Sequence, residues 1–416
     1  MGAASLDIGP LRRHRDFRLL FVGQELSTFG SEVTYVALPF QTYQLTNSTL
    51  AVGLLSLAEF VPLIVMAFVG GALSDAFDRR RLIQLAELGS GLAIAVLMVN
   101  SLLPHPSVAV LFVVAPVLAA LYGILRPSLD ALVPRLVTRE ELPAAAALEG
   151  FRGTLGSIAG PAVAGVIIAG AGLPVAYALD VATFGASLVA LWFMRAVPPP
   201  PDAPPVSLSS IAEGLRYARS RQELLGTYGV DIIAMFFGMP MALFPAIAKG
   251  FGGAEVLGLL YAAPAVGSLL ATVTSGWVAH VHRHGLAIIF AAGTWGAAII
   301  GFGLAPNLAL ALVGLVIAGG ADMVSGIFRM TIWNQTIPDR LRGRLAGIEQ
   351  VSYTSGPLLG NLEAGVVASL ASVRASVVSG GVLCVVGVAL AAIALPVFRR
   401  YDARATRTDS PPVGAL

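Results

Sequence analysis

Long apolar stretches, broken only by brief charged or Gly- and Pro-bearing turns, fill the chain from residue 18 to residue 398. A helix needs about 20 mostly apolar residues to cross a bilayer. On that scale the pattern predicts twelve spanning helices, near 18–43, 49–74, 81–103, 107–132, 143–169 and 174–195, then 223–248, 254–280, 285–304, 307–334, 343–370 and 375–398. Most connections are short. The exception, 196–222, opens with Val197-Pro198-Pro199-Pro200-Pro201-Asp202-Ala203-Pro204-Pro205, an extended polyproline segment. It closes with Ile211–Arg219, which reads as a short surface helix. The predicted organisation is therefore an N-terminal six-helix bundle (1–195), a Pro-rich linker (196–222), a C-terminal six-helix bundle (223–398) and a tail (399–416).

Composition agrees with an all-α polytopic membrane protein: 56% of residues are hydrophobic and 12% charged, where a soluble chain carries about 25% charged. Cys384 is the only cysteine, which excludes an intrachain disulfide and a cysteine metal cluster. The basic segment Leu11–Arg18 precedes an apolar run that holds Glu25 and Glu32 and lacks a small-residue cleavage pattern, so it reads as a retained first membrane helix. With both termini cytoplasmic, only Lys249 and Arg374 fall on the outer side, and Arg126, Arg152 and Arg329 fall inside helices. The remaining arginines lie on the cytoplasmic side, a strong orientation signal for a plasma (inner) membrane protein.

The two halves repeat. Gly71-Ala72-Leu73-Ser74-Asp75-Ala76-Phe77-Asp78-Arg79-Arg80-Arg81 has a faded copy in Gly276-Trp277-Val278-Ala279-His280-Val281-His282-Arg283-His284. Val52-Gly53-Leu54-Leu55 answers Leu257-Gly258-Leu259-Leu260, Pro39 answers Pro245, Glu25 answers Asp231, and Gly160-Pro161 answers Gly356-Pro357. Six helices repeated in the same orientation form a parallel duplication, for which the substrate site is expected at the repeat interface near mid-membrane.

The turn at 71–81 resembles the signature of the major facilitator superfamily between helices 2 and 3. Ala76 and Asp78 stand where family members usually carry Arg and Gly. Helix 5, with Gly156-Ser157-Ile158-Ala159-Gly160-Pro161-Ala162-Val163-Ala164-Gly165, resembles the signature of the family's exporters. Gly258–Pro264, Thr274–His280 and Gln335–Arg344 are similar to the branch that contains the enterobactin exporter and drug-efflux proteins. The resemblance implies that Gly71, Asp75, Arg79 and Arg80 latch the cytoplasmic ends of the halves in one state, with Asp130 as partner of the basic residues and His280 as the second-half counterpart. Asp75 and Arg79, four apart, are expected to share one helical face.

Small residues let helices approach closely in lipid, and Pro removes a backbone donor and bends a helix. Gly156, Gly160 and Pro161, with Gly356 and Pro357 in the repeat, are therefore the expected hinge. Charges at membrane depth are costly and mark transport paths. Glu25 and Glu32 lie seven apart on helix 1, Arg126 and Asp130 four apart on helix 4, Asp231 on helix 7, and Asp322 and Arg329 seven apart on helix 10. In the family these four helices line the cavity. The carboxylates are candidate proton carriers, and Arg126 and Arg329 are candidates to balance them or hold an anionic substrate. Glu59, Glu87, Glu149, Asp180, Glu349 and Glu363 are weaker candidates, several being close enough to a surface to be solvated.

The expectation is a non-enzymatic secondary exporter of small amphipathic molecules, drugs or a siderophore, exchanged for protons by alternating access. It is expected to act as a monomer in the lipid bilayer, with no metal, no nucleic acid and no cofactor beyond the proton gradient. No nucleotide-binding loop supports ATP drive. A facilitator or importer of the same fold, and a non-transporting receptor or scaffold, stay open as alternatives.

Overall fold

The computed structural model describes residues 7–197 and 216–404, and the side chains at 72, 75, 339–344, 346–348, 350 and 351 fall outside the description. The proline run of the linker, the start of its expected surface helix, and the chain beyond 404 also lie outside the described residues; residues 216–220 are helical.

Nearly every described residue is helical. The long helices are α1 (Arg15–Thr46), α2 (Thr49–Ala76), α3 (Arg79–Leu102), α4 (Val108–Leu132), α5 (Leu142–Gly170) and α6 (Leu173–Trp192), followed by α7 (Gln222–Phe237), α8 (Ala254–Val273), α9 (His284–Leu304), α10 (Leu308–Thr336), α11 (Asp339–Leu370) and α12 (Val373–Ala394). Their starts are written locally. Ser48, Asn307 and Ser372 accept hydrogen bonds from Ala51, Leu310 and Ala375 N–H at 3.2, 3.0 and 3.1 Å, which satisfies otherwise orphaned first-turn donors. Among the described residues, ten segments are long and apolar enough to cross a membrane. The helices α1 and α11, 32 residues each, are long enough but more polar.

Two compact units result. One contains the described residues up to 197 together with Phe244–Ala262; the other contains 216–243 and 263–404. In the first, α1 packs on α5 and α6, α2 on α4, and α3 on α4 and α6. The α2–α4 crossing is close because Gly123 lies 2.9 Å, measured from an added Cβ, from the Ala67 backbone nitrogen. In the second, α9 packs on α10 and α12, and α7 on α11 and α12.

The seventh apolar stretch departs from its expected form. Instead of one helix over 223–248, α7 ends at Phe237, a short 3₁₀ turn covers Met241–Leu243, and a separate helix spans Phe244–Phe251. Pro240 supplies no backbone donor, and the groups freed by the break are bonded by side chains. The Gly238 carbonyl accepts from Trp295 Nε1 at 3.1 Å, and Ala242 N–H donates to Asn361 Oδ1 at 3.0 Å.

Candidate transport site

In the second unit, three of the expected charged residues meet. Asp231 on α7 and Arg329 on α10 form an ion pair in which each side chain is 4% exposed. Arg329 Nη2 also reaches Asp322 Oδ1 at 3.5 Å, one face of α10 bringing residues seven apart together. Asp322 remains 40% exposed. Ser352 Oγ donates to Asp231 Oδ2 at 3.4 Å. The guanidinium stands over the Tyr353 ring, 5.4 Å from its centroid. Tyr353 meets Trp333, which meets Tyr228, at centroid separations of 5.7 and 5.6 Å. Trp333 Nε1 is fixed by donating to Thr227 Oγ1 at 2.9 Å. One cation is thus shared by two carboxylates, one buried and one partly exposed, beside an aromatic wall. Such a cluster carries one excess negative charge, which a proton can neutralise.

The first unit holds a comparable cluster built from a different helix. Arg152 of α5 donates to Glu149 Oε2 at 2.8 Å, to Thr28 Oγ1 at 2.6 Å and to the Gln24 carbonyl at 3.1 Å. Glu25 lies within electrostatic reach of Arg152 and Glu149. Its Oε2 is buried with no hydrogen-bond partner among the described residues. Glu32 lies beneath Gly160, where an added Cβ would collide with the glutamate side chain. Arg126, expected to balance the cavity acids, instead pairs with Asp130 at 3.4 Å near solvent. Arg152 was legible only as a charge inside a helix, since sequence spacing does not relate α5 to α1.

Two acids expected to be weak candidates are fully buried. Glu87 accepts from Gln24 Nε2 at 2.5 Å and from Ser27 Oγ at 3.2 Å. Asp180 accepts from Thr34 and Thr183 hydroxyls. They join α1 to α3 and α6. The serine, threonine and glutamine positions on the inner face of α1 were the available signal.

The turn at 71–81 differs from its expected geometry. The α2 helix stops at Ala76, Phe77 and Asp78 are extended, and α3 starts at Arg79, so Asp75 and Arg79 do not share a helical face. The cause is Asp78, whose carboxylate caps the new helix by accepting from Arg80 N–H at 2.9 Å. The Asp75 side chain lies outside the described residues. Gly71 has open space above it, and Ser74 Oγ donates to its carbonyl at 2.8 Å. Arg79 is buried. Arg80 donates to the Leu191 and Trp192 carbonyls at 2.7 and 2.6 Å, binding the end of α6 where the helix dipole is negative. Asp130, expected to partner the turn's basic residues, takes Arg126 instead because the two lie one turn apart on α4.

The copy of this turn forms a 3₁₀ segment, Ser275–His280, with His280 exposed. The chain after α12 reaches this turn and the end of α10: Ala403 N–H donates to the His282 carbonyl at 3.0 Å, and Tyr401 OH to Gln335 Oε1 of α10 at 3.0 Å. Hydrogen bonds from Arg404 hold the Asp402 carboxyl down at about 2. Among the described residues there is no group of three or more His, Cys, Asp or Glu that could hold a metal ion.

The expected hinge glycines are contact points. Gly156 faces the Thr28 methyl, 3.3 Å from where an added Cβ would stand, and Gly160 faces Glu32, both on α1. Gly356 faces Met235 of α7, whose Cβ would lie 2.6 Å from an added Cβ. Each Gly-Pro pair therefore places its helix against the helix four positions earlier in the repeat. Both Pro161 and Pro357 lie within continuous helices.

Residues 6–415 match the family described as transmembrane secretion effector. The chain belongs to that family of major facilitator transporters. The enterobactin exporter EntS of Escherichia coli O1:K1 / APEC is 31% identical over 414 residues, covering 97% of this chain and 98% of that protein. EntS of Shigella boydii serotype 18 is 30% identical over 412 residues, with the same coverage. Solved structures share the fold at low identity. A POT family transporter in complex with 5-aminolevulinic acid has a TM-score of 0.71 at 14% identity, covering 92% of this chain and 97% of that one. The nucleoside transporter NupG has a TM-score of 0.71 at 10% identity, covering 95% and 100%. Membership in this exporter family makes the chain a multi-pass membrane transporter, and the resemblance carried by the sequence motifs is the correct one.

Proposed function

We propose that the chain is a proton-coupled secondary exporter of small amphipathic molecules, with enterobactin-like siderophores as the first class to test. The Asp231–Arg329–Asp322 cluster carries this reading. An arginine held by two acids can pass between carboxylate and substrate as one acid gains or loses a proton, without an isolated buried charge at any step. Arg152 with Glu149 and Glu25 gives the first unit a similar device. The aromatic series Tyr353, Trp333 and Tyr228 suits an amphipathic cargo.

In this reading α1 and α11 also cross the bilayer, giving twelve spans with both termini cytoplasmic and a monomer as the working unit. The Gly156–Gly160–Pro161 and Gly356–Pro357 segments serve alternating access as close-packed pivots. The turn at Gly71, Asp75, Arg79 and Arg80, with Asp130 and His280, lies on the cytoplasmic side. Enterobactin is proposed on the names of the relatives, and drugs remain a competing cargo. The test is reconstitution in liposomes with an internal pH dye. Enterobactin transport that drives opposite proton movement, and that stops in Asp231→Asn, supports the proposal. Transport indifferent to a collapsed pH gradient would favour a facilitator.

A further inference from the structure

In the first unit Arg80 ties the start of α3 to the end of α6. The residue that answers it in the repeat is Gly285, likewise the second residue of its helix, α9. A glycine has no side chain with which to repeat that joint. The chain beyond α12 makes the joint with backbone instead. After Leu395 a four-residue helix, Pro396–Arg399, begins. Its Phe398 carbonyl lies so close to Gly285 that an added Cβ would overlap it. Ala403 N–H then bonds the His282 carbonyl just before α9.

This joint reaches further than the one Arg80 makes. Phe398 is fully buried. Its ring fills the space over Gly226 of α7, where an added Cβ would overlap Cγ and both Cδ atoms. Val397 N–H donates to Gln222 Oε1, also on α7, at 3.4 Å. On the other side Tyr401 OH bonds Gln335 of α10. The Tyr401 ring stands 6.2 Å from the His284 ring, which stands 5.2 Å from Phe328 of α10. His284 Nε2 donates to the Val281 carbonyl at 3.1 Å, which fixes the ring between them. One segment thus grips α7, α9 and α10 together.

Two of those helices carry the transport cluster. Gly226 directly precedes Thr227, which holds the Trp333 indole, and Phe328 directly precedes Arg329. At 1.5 Å per residue, Phe398 grips α7 roughly 7.5 Å along the axis from Asp231. The Asp231–Arg329 pair closes between α7 and α10, and charge-assisted hydrogen bonds depend steeply on distance and angle. We infer that the segment 396–404 is a strap that sets α7 against α10 and so positions Asp231 for Arg329, with Phe398 as its positioning residue. This rests on the reading of that cluster as the transport site. The second half thereby keeps the joint that its turn, with glycine in place of arginine, does not make.

Phe398→Ala in the full-length protein removes the plug and leaves every group of the cluster in place. It is expected to elute as a monodisperse protein and to export enterobactin from liposomes at least about tenfold more slowly, the scale of effect that misplaced groups produce. Phe398→Leu, which refills the space over Gly226, is expected to restore most of the rate. A role in folding alone predicts a thermal effect that adds to changes at the cluster, whereas positioning predicts coupling between them. The fall in melting temperature from Phe398→Ala is therefore expected to be smaller, by about 2 °C or more, in an Asp231→Asn, Arg329→Gln background than in the wild type. Wild-type export by Phe398→Ala, or equal falls in the two backgrounds, overturns the strap. Tyr401→Phe removes only the hydroxyl bonded to Gln335, and if Phe398→Ala aggregates it takes the same two measurements. Its slowing is expected to be smaller and its thermal effect again coupled; wild-type export or additive melting overturns the strap there too. Absence of enterobactin export by the wild type would bring down the exporter reading, while the melting comparison still decides the strap.

Discussion

Asp231 and Arg329 neutralise one another where neither is open to water, each side chain being 4% exposed. Removing one partner leaves a buried charge that the exposed Asp322 only partly offsets. Asp231→Asn should therefore abolish export and cost about 3–5 kcal/mol. The double variant Asp231→Asn, Arg329→Gln should recover much of the stability and none of the export. Thermal unfolding in detergent beside transport assays separates these outcomes; equal stability of single and double variants would refute the pairing argument.

Arg80 is expected to act as a brace. It supplies two charge-assisted hydrogen bonds to the end of α6. Arg80→Ala should lower stability by roughly 1.5–3 kcal/mol, with Arg80→Lys recovering only part because an ammonium cannot reproduce the fork. If Arg80→Ala unfolds at the wild-type temperature while export falls, the residue acts on transport and not on the fold.

Gly160→Ala tests the contact between α5 and α1. The added methyl meets the Glu32 side chain, and overpacking of this kind costs about 1–3 kcal/mol. Export should fall further than for Gly153→Ala, whose position has open space. Equal effects of the two would remove the pivot role.

Asn361→Leu should strand the Ala242 N–H inside the second unit. An unsatisfied buried donor costs about 1–3 kcal/mol, and Asn361→Asp should retain the acceptor. Hydrogen exchange at Ala242 is the direct measurement: faster exchange in the leucine variant is expected, and unchanged exchange would show that the break needs no clasp.

The pH dependence of export should not come from the tail. The Asp402 carboxyl is lowered to about 2 by Arg404. An acid depressed on folding contributes its stabilisation above its unfolded value and loses it as pH falls through the folded one, so its contribution is constant between roughly pH 5 and 8. Asp402→Asn should leave the export profile in that range superimposable on the wild type. A displaced profile would connect the tail to the proton path.

The helices were legible because their apolar runs are long, and the exporter relationship because motifs in both halves keep their spacing. The pairing of Asp322 with Arg329 was legible for a similar reason: seven residues on one helix return to one face. Spacing gave no access to contacts between separate helices. Hence Arg152 with Gln24 and Thr28, Glu87 in its fully buried setting, and Asn361 on Ala242 required the fold. The break after Phe237 was hidden by an apolar run that continues through it. The geometry of the turn was misjudged because Asp78 was read as a departure from a signature rather than as a helix cap.

The Arg80 contact bears on how a family of this kind can diversify. The most recognisable turn in the first half keeps its arginine bound to the end of its own unit, where it holds α3 to α6. Inheritance of that turn therefore preserves a frame. Substitutions elsewhere, around Arg329 and Tyr353 among them, leave that frame standing. Similarity scored on such turns will group transporters by ancestry and leave their chemistry unsorted.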